Sequence, residues 1–271
     1  MVPAVVAARG RWSQRFRQRV GQFENNRQQD ANEAFNLLME DADKVDWMKL
    51  AALAPGGARQ STPYYKIFGG ALRRRMRCLS CHCCVSKREE SFASLMVELP
   101  ADRRQQSVDE LVQRFRARET PTDYVCEGDR CGREGTTEIS IDVVRWPRVL
   151  CVQLKRFEWV RRTGRWRKVQ TRVVWQEYED LHGGAGACRY HLRCLCNHGG
   201  NAFGGHYTSY VRGHGGEWYF CDDESTPRRV DVGEVLRCEG YMAFYEKEEA
   251  APNASGPEPI PIVVDGGRAG E

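Results

Sequence analysis

The sequence reads as an α+β domain on three observations. Helical spacing of apolar residues is concentrated near the N-terminus, strand-like alternation fills most of the chain from Tyr64 onward, and Gly-rich or charged turns separate the strand segments. Trp12, Phe16, Val20 and Phe23 recur among Arg and Gln as the core-facing stripe of a basic amphipathic helix. Ala31, Ala34, Phe35, Leu38, Met39 and Ala42 predict a second helix, capped by Asn25 or Asn26 and ending before Pro55-Gly56-Gly57. Leu72, Arg74, Met76 and Cys78 then alternate with Arg73, Arg75 and Arg77 as a strand, and residues 91–99 form another, closed by Pro100. Ser107-Val108-Asp109-Glu110 is a capping box, with Val108, Leu111, Val112 and Phe115 on one face of the short helix behind it. Further strands are expected over 139–144, 149–157, 190–196, 206–212, 217–221 and 241–246. The expected organisation is a basic, partly helical segment over 1–24, one compound domain over 25–248 and a disordered Pro-, Gly- and acid-rich tail over 249–271.

With 271 residues, 41% of them hydrophobic and 10% aromatic, the chain can bury one large core or a core plus an appendage. Its 41 basic residues nearly balance 37 acidic ones, and a net charge of +4 gives no whole-molecule field for nucleic acid. Twelve cysteines in a chain of this length, with no signal peptide, point to reduced thiols and metal ligation rather than a disulfide scaffold. The apolar opening from Met1 to Ala8 lacks a basic n-region and is too short to cross a bilayer. The expectation is a soluble protein of cytoplasm and/or nucleus, neither secreted nor membrane-bound.

Two cysteine pairs stand out, Cys78-x2-Cys81 and Cys126-x4-Cys131, each beside strand-like sequence. Four thiolates on two hairpin tips can close a tetrahedral structural zinc site and staple a poorly buried extension. The second spacing is wider than the common knuckle, and Cys83 and Cys84 leave the ligand choice open. Cys151, Cys188, Cys194, Cys196, Cys221 and Cys238 read as buried inert thiols in strands. Gly204-Gly205-His206-Tyr207, followed by Trp218-Tyr219-Phe220-Cys221-Asp222-Asp223, supplies an imidazole and a carboxylate suited to activating a thiol. His198 and His214 lack that context and are expected to line turns.

In order along the chain, Gln28-Gln29-Asp30-Ala31-Asn32-Glu33, the Cys78-x2-Cys81 pair, the run Pro147-Arg148-Val149-Leu150-Cys151-Val152-Gln153-Leu154-Lys155-Arg156-Phe157, then His206-Tyr207 and Asp222-Asp223 closely resemble the ubiquitin-specific protease family of cysteine deubiquitinases. The resemblance implies a papain-like hand with a helical thumb, here partial, zinc-bearing fingers and an antiparallel β palm. It implies His206 as general base, Asp222 as the group that fixes its tautomer, and Asp223 in support. It also implies ubiquitin or a ubiquitinated protein as partner. Asp30 and Glu33 would face the arginines near ubiquitin's C-terminus, while Gly204, Gly205 and Tyr207 would line the channel for its Gly-Gly tail.

The resemblance breaks at the nucleophile. Members carry an Asn- and Cys-containing segment well before the Gln-Gln-Asp-Ala helix, whereas no cysteine here precedes Cys78. Asn32 also replaces the commoner His or Gln, and Ala34 a usual aromatic. The expectation is an N-terminally truncated catalytic domain that by itself hydrolyses nothing, since losing the nucleophile of such a unit costs on the order of 10⁶ in turnover. Two other readings are a ubiquitin-binding pseudoprotease and, last in rank, a zinc-stabilised nucleic-acid module. The last is prompted by Arg73-Arg74-Arg75 and by the basic run from Arg161 to Lys168 around Trp166.

Overall fold

The computed structural model describes residues 29–40, 63–100, 104–128, 131–184 and 186–249, the side chains of 63 and 84–87 excepted. The helix expected around 12–23, the Asn25 or Asn26 cap, the Pro55-Gly56-Gly57 stop and the tail from 250 lie outside those residues.

Within them the architecture is a short helical element followed by two main sheets. Residues 31–40 form α1. Its N-terminus is capped by Asp30, whose Oδ1 accepts from the backbone N–H groups of Asn32 at 2.9 Å and Glu33 at 3.1 Å. A second short helix, α2 (Pro63–Phe68), leads into β1 (Gly70–Cys78), which pairs antiparallel with β2 (Cys84–Phe92) and β5 (Thr137–Arg145) as a three-stranded sheet. The alternation from Leu72 to Cys78 thus marks a real strand. The strand expected over 91–99 is two: β2 ends at Phe92 and β3 (Ser94–Glu98) starts after Ala93. There the chain leaves the finger sheet and enters the larger palm sheet.

The palm runs in the order β14 (Arg228–Val230), β13 (Trp218–Cys221), β12 (Gly205–Arg212), β11 (Gly186–Gly200), β15 (Gly240–Lys247), β6 (Val149–Lys155), β3, with β10 (Tyr178–Gly183) on the first half of β11. All neighbours are antiparallel except β3 and β6, which are parallel, as are β4 (Gln106–Ser107) and β9 (Val173–Val174) in a separate two-stranded pair. The capping box forms as expected, Ser107 N–H donating to Glu110 Oε2 at 2.8 Å and Glu110 N–H to Ser107 Oγ at 3.2 Å. The helix it starts, α3 (Val108–Phe115), buries Val108, Leu111 and Val112.

β6 is buried on both faces, which is why it reads as a continuous apolar run. Leu150, Val152 and Leu154 join the main core with Leu95, Leu195, Ala243 and Tyr245. Cys151 faces a second cluster with Tyr241 and Met242, flanked by Ala31 and Phe35 of α1 and by Tyr207. That second cluster fastens α1 to the sheet beside the hairpin that carries His206.

The segment expected as one strand over 149–157 breaks at Arg156, after which β7 (Phe157–Val160) pairs only with β8 (Arg165–Lys168). Arg156 is 1% exposed and donates to the carbonyls of Gly240 (2.7 Å), Val169 (2.9 Å) and Thr171 (3.0 Å). The break between β6 and β7 thus coincides with a guanidinium fork held on three carbonyls.

Candidate functional site

His206 sits at the start of β12, opposite Gly199 of β11. Asp222 follows β13 directly, and Ser209 pairs with Cys221, so the ladder carries the carboxylate back toward the imidazole. His206 Nε2 lies 2.6 Å from Asp222 Oδ1. An ionised carboxylate only accepts, so Nε2 carries the proton and Nδ1 presents its lone pair. The Asp222 hydrogen bond, with smaller contributions from the charges of Asp222 and Asp223, raises the imidazole above its ordinary value. Asp223 adopts φ +41° at the turn closed by Ser225 N–H on Asp222 O, a left-handed conformation that Asp tolerates. Both side chains remain open to solvent, His206 at 53% and Asp222 at 41%.

Gly205 is required by its surroundings, since a Cβ there would lie 2.1 Å from the Gly199 carbonyl and 2.4 Å from His198 Nε2. Gly204 accepts from Asn201 N–H at 2.9 Å in the turn before it. Tyr207 is half-buried against the rings of His198 (4.8 Å) and Tyr241 (5.8 Å). His214 lies in a turn as expected, but His198 does not: it is buried within β11, with its ring edge-on to Phe157 at 5.2 Å. The strand there is longer than the apolar pattern suggested, because it crosses Asn197 and His198 while still pairing with β12.

Asp30 lies at the cap position, one residue before α1. Both lone pairs of Oδ1 are taken by the cap, and Oδ2 accepts from the Tyr241 hydroxyl. A carboxylate offers about four acceptor positions, which leaves one on Oδ2. Glu33, in contrast, is exposed. The Tyr241 contact spans 211 positions and has no sequence signal.

At the far end of the fingers, the Sγ atoms of Cys78, Cys81, Cys126 and Cys131 all lie within 4.8 Å of one another. Cys78 to Cys131 is 3.7 Å and Cys81 to Cys126 is 3.9 Å. Tetrahedral thiolates about 2.3 Å from a zinc-sized ion stand about 3.8 Å apart, so the quartet fits such a metal. Backbone N–H groups of Ser80 and Gly128 point at Cys78 and Cys126, each at 3.4 Å, as in paired knuckles. The Thr136 hydroxyl holds the Cys78 thiol down at about 6. Cys83 lies 3.0 Å from Cys81, too close for both to bind one ion.

Arg73 pairs with Glu89 and Arg167 with Glu158 within their own hairpins, and Lys168 pairs with the distant Glu239, so the basic runs are partly neutralised. Among the described residues, no helix is long and apolar enough to cross a membrane.

Zinc-competent fingers, a palm sheet and an imidazole held by a carboxylate at the palm edge define a class of hand-shaped α+β domains organised around a His–Asp pair. The model of the ubiquitin carboxyl-terminal hydrolase family matches residues 11–245, and the chain belongs to that family. It is 30% identical over 244 residues to ubiquitin carboxyl-terminal hydrolase 19 of Arabidopsis thaliana, covering 86% of this chain and 35% of that protein. To hydrolase 23 of the same plant it is 31% identical over 255 residues, 89% of this chain and 28% of the relative. The chain therefore spans about a third or less of these relatives. In fold it is similar to Ubp8 in the SAGA DUB module bound to ubiquitin aldehyde, with TM-score 0.74 and 20% identity over 85% of this chain and 52% of that one. A variant of that module bound to monoubiquitin gives TM-score 0.74 and 21% identity, over 87% and 52% of the two chains.

Proposed function

We propose that this chain recognises the C-terminal tail of ubiquitin and presents His206 and Asp222 as the base and orienting acid of thiol-dependent isopeptide hydrolysis. The observation that carries the reading is the 2.6 Å contact between His206 Nε2 and Asp222 Oδ1, which leaves Nδ1 to accept a thiol proton. Asp222 holds this tautomer and offsets the charge of the imidazolium once the proton has moved. Asp223 adds a weaker field of the same sign. Gly204 and Gly205 keep the approach to His206 free of side chains, and Tyr207 walls it. Of the acidic pair at the start of α1, exposed Glu33 is the arginine contact, and Asp30 adds one remaining acceptor while it caps the helix.

Among the described residues, the buried palm thiols do not serve as the nucleophile. Burial pushes Cys194, Cys196 and Cys238 up to about 12, and Cys151 well above its ordinary value, so these thiols stay protonated. Cys221 lies within β13, paired with Ser209 of β12 rather than at a helix N-terminus. The 271 residues on their own therefore bind without cleaving. The four finger thiols hold zinc in a structural role, since four protein ligands leave no open position.

Calorimetric titration with ubiquitin, alongside turnover of ubiquitin carrying a fluorogenic C-terminal amide, tests both halves. Binding with no turnover is expected. Absent binding at high concentration overturns the recognition, and turnover abolished by Cys196→Ser or Cys221→Ser overturns the assignment of those thiols as inert.

A further inference from the structure

Lys168 ends an otherwise solvent-facing hairpin, yet its side chain is only 3% exposed. Its ammonium donates to the carbonyls of His198 at 2.6 Å and Gly200 at 3.3 Å, and to Glu239 Oε2 at 3.1 Å. An ammonium has three N–H donors, so all are used. The two carbonyls flank Gly199, the residue paired with His206, and Gly200 itself pairs with Gly205. Gly200 holds φ +112°, and a Cβ there would lie 2.5 Å from the Gly204 carbonyl, so the chain reverses tightly at this point.

The cation and its counterion are themselves fixed in place. Val169 N–H donates to the Arg156 carbonyl at 2.6 Å, and the Arg156 guanidinium returns a bond to Val169 O at 2.9 Å, beside Lys168. The same guanidinium donates to Gly240 O at 2.7 Å, beside Glu239. One buried arginine thus sets the residues next to both partners. Withdrawing an ammonium from water is costly unless its donors are all met, and here they are met by the hairpin that leads to the base.

From these contacts we propose that Lys168, paired with Glu239, is a positioning residue for His206: by gripping the carbonyls on either side of Gly199 it fixes the strand opposite the imidazole and keeps His206 against Asp222. The inference rests on the proposed role of His206 and deepens it. Lys168 touches no reacting atom. Its influence passes through the Gly199–His206 and Gly200–Gly205 backbone pairs.

The test is a pH titration of the histidine ring signals by nuclear magnetic resonance on the full chain, with the His206 signal assigned by its loss in His206→Gln. In the unaltered chain the His206 midpoint is expected above the ordinary imidazole value, and Asp222→Asn is expected to bring it down. Lys168→Met is expected to bring it down in the same direction and to speed exchange of the Nε2 proton, while amide signals of the finger strands β1, β2 and β5 stay in place. Glu239→Ala, altering a half-exposed carboxylate, gives a smaller shift of the same sign. A His206 midpoint unmoved in Glu239→Ala and in any folded Lys168→Met overturns the proposal. Should Lys168→Met not fold, Glu239→Ala alone decides it. If Asp222→Asn leaves the midpoint unmoved, the base–acid reading fails instead, which separates the two ideas.

Discussion

Replacing Arg156 by Met keeps the length and apolar stem of the side chain and removes only the fork. Three charge-assisted hydrogen bonds disappear, to Gly240, Val169 and Thr171, and the bonds to Gly240 and Thr171 lie in fully buried surroundings. Each orphaned buried carbonyl costs about 1–3 kcal/mol. Against this stands the relief of keeping a cation in a place where burial already lowers its pKa, although the nearby Glu239 carboxylate offsets part of that penalty. The balance is a loss of about 3–5 kcal/mol, the usual cost of removing one partner from a buried charged network. For a domain of this size that is a fall in melting temperature of about 10 °C. Urea unfolding followed by tryptophan fluorescence is a direct assay, because Trp175 is buried and a Cβ added at Gly240 would lie 2.5 Å from its ring. Arg156→Lys, which keeps the charge but not the fork, should recover part of the loss. A change below about 1 kcal/mol in Arg156→Met, with an unchanged slope against urea, would show that the three carbonyls find other partners and refute the clamp.

Three further outcomes are expected. Burial raises the Glu179 carboxyl from 4.5 to about 7, partly offset by the Val108 and Asp109 N–H groups that it accepts from. The native state therefore takes up this proton first, so the stabilising contribution of Glu179 is fully present below about pH 4.5 and is lost as pH rises through about 7. Glu179→Gln should flatten that decline by up to about 3 kcal/mol across urea midpoints measured at pH 4.5, 7 and 8. Zinc released from the purified protein should fall to near zero in Cys131→Ser and stay at one equivalent in Cys83→Ser; Gly128→Ala, whose Cβ would lie 2.8 Å from Cys83 Sγ and 3.4 Å from Cys126 Sγ, should weaken binding by about 10-fold or more. In Gly205→Ala the new Cβ must displace the Gly199 carbonyl, at a cost of about 1–3 kcal/mol, so hydrogen exchange of the 199–206 amides should accelerate by about 10-fold or more.

What could be read from the residues was what short-range chemistry controls. The capping box at Ser107 needs only four consecutive residues, and strands such as β12 and β15 announce themselves by composition and alternation within a few positions. The spacing of Cys78 and Cys81 is likewise local, and the ordered motifs carried the family likeness that the match over 11–245 bears out. The parallel pairing of β3 with β6 and the split of residues 91–99 between two sheets depend on what lies on the other side of each strand.

The sequence by itself determined that this is an α+β member of its family, with four thiols able to share a metal and a histidine and an aspartate of the right kind. Tertiary structure alone decided that Asp30 caps a helix and accepts from Tyr241, that the Cys131 thiol lies within 4.8 Å of those of Cys78, Cys81 and Cys126, and that Arg156 and Lys168 leave solvent to hold carbonyls. A charged residue in a basic run looks the same in sequence whether it faces water or a carbonyl dozens of positions away. Only the folded chain brings the acceptors close enough to make its burial favourable.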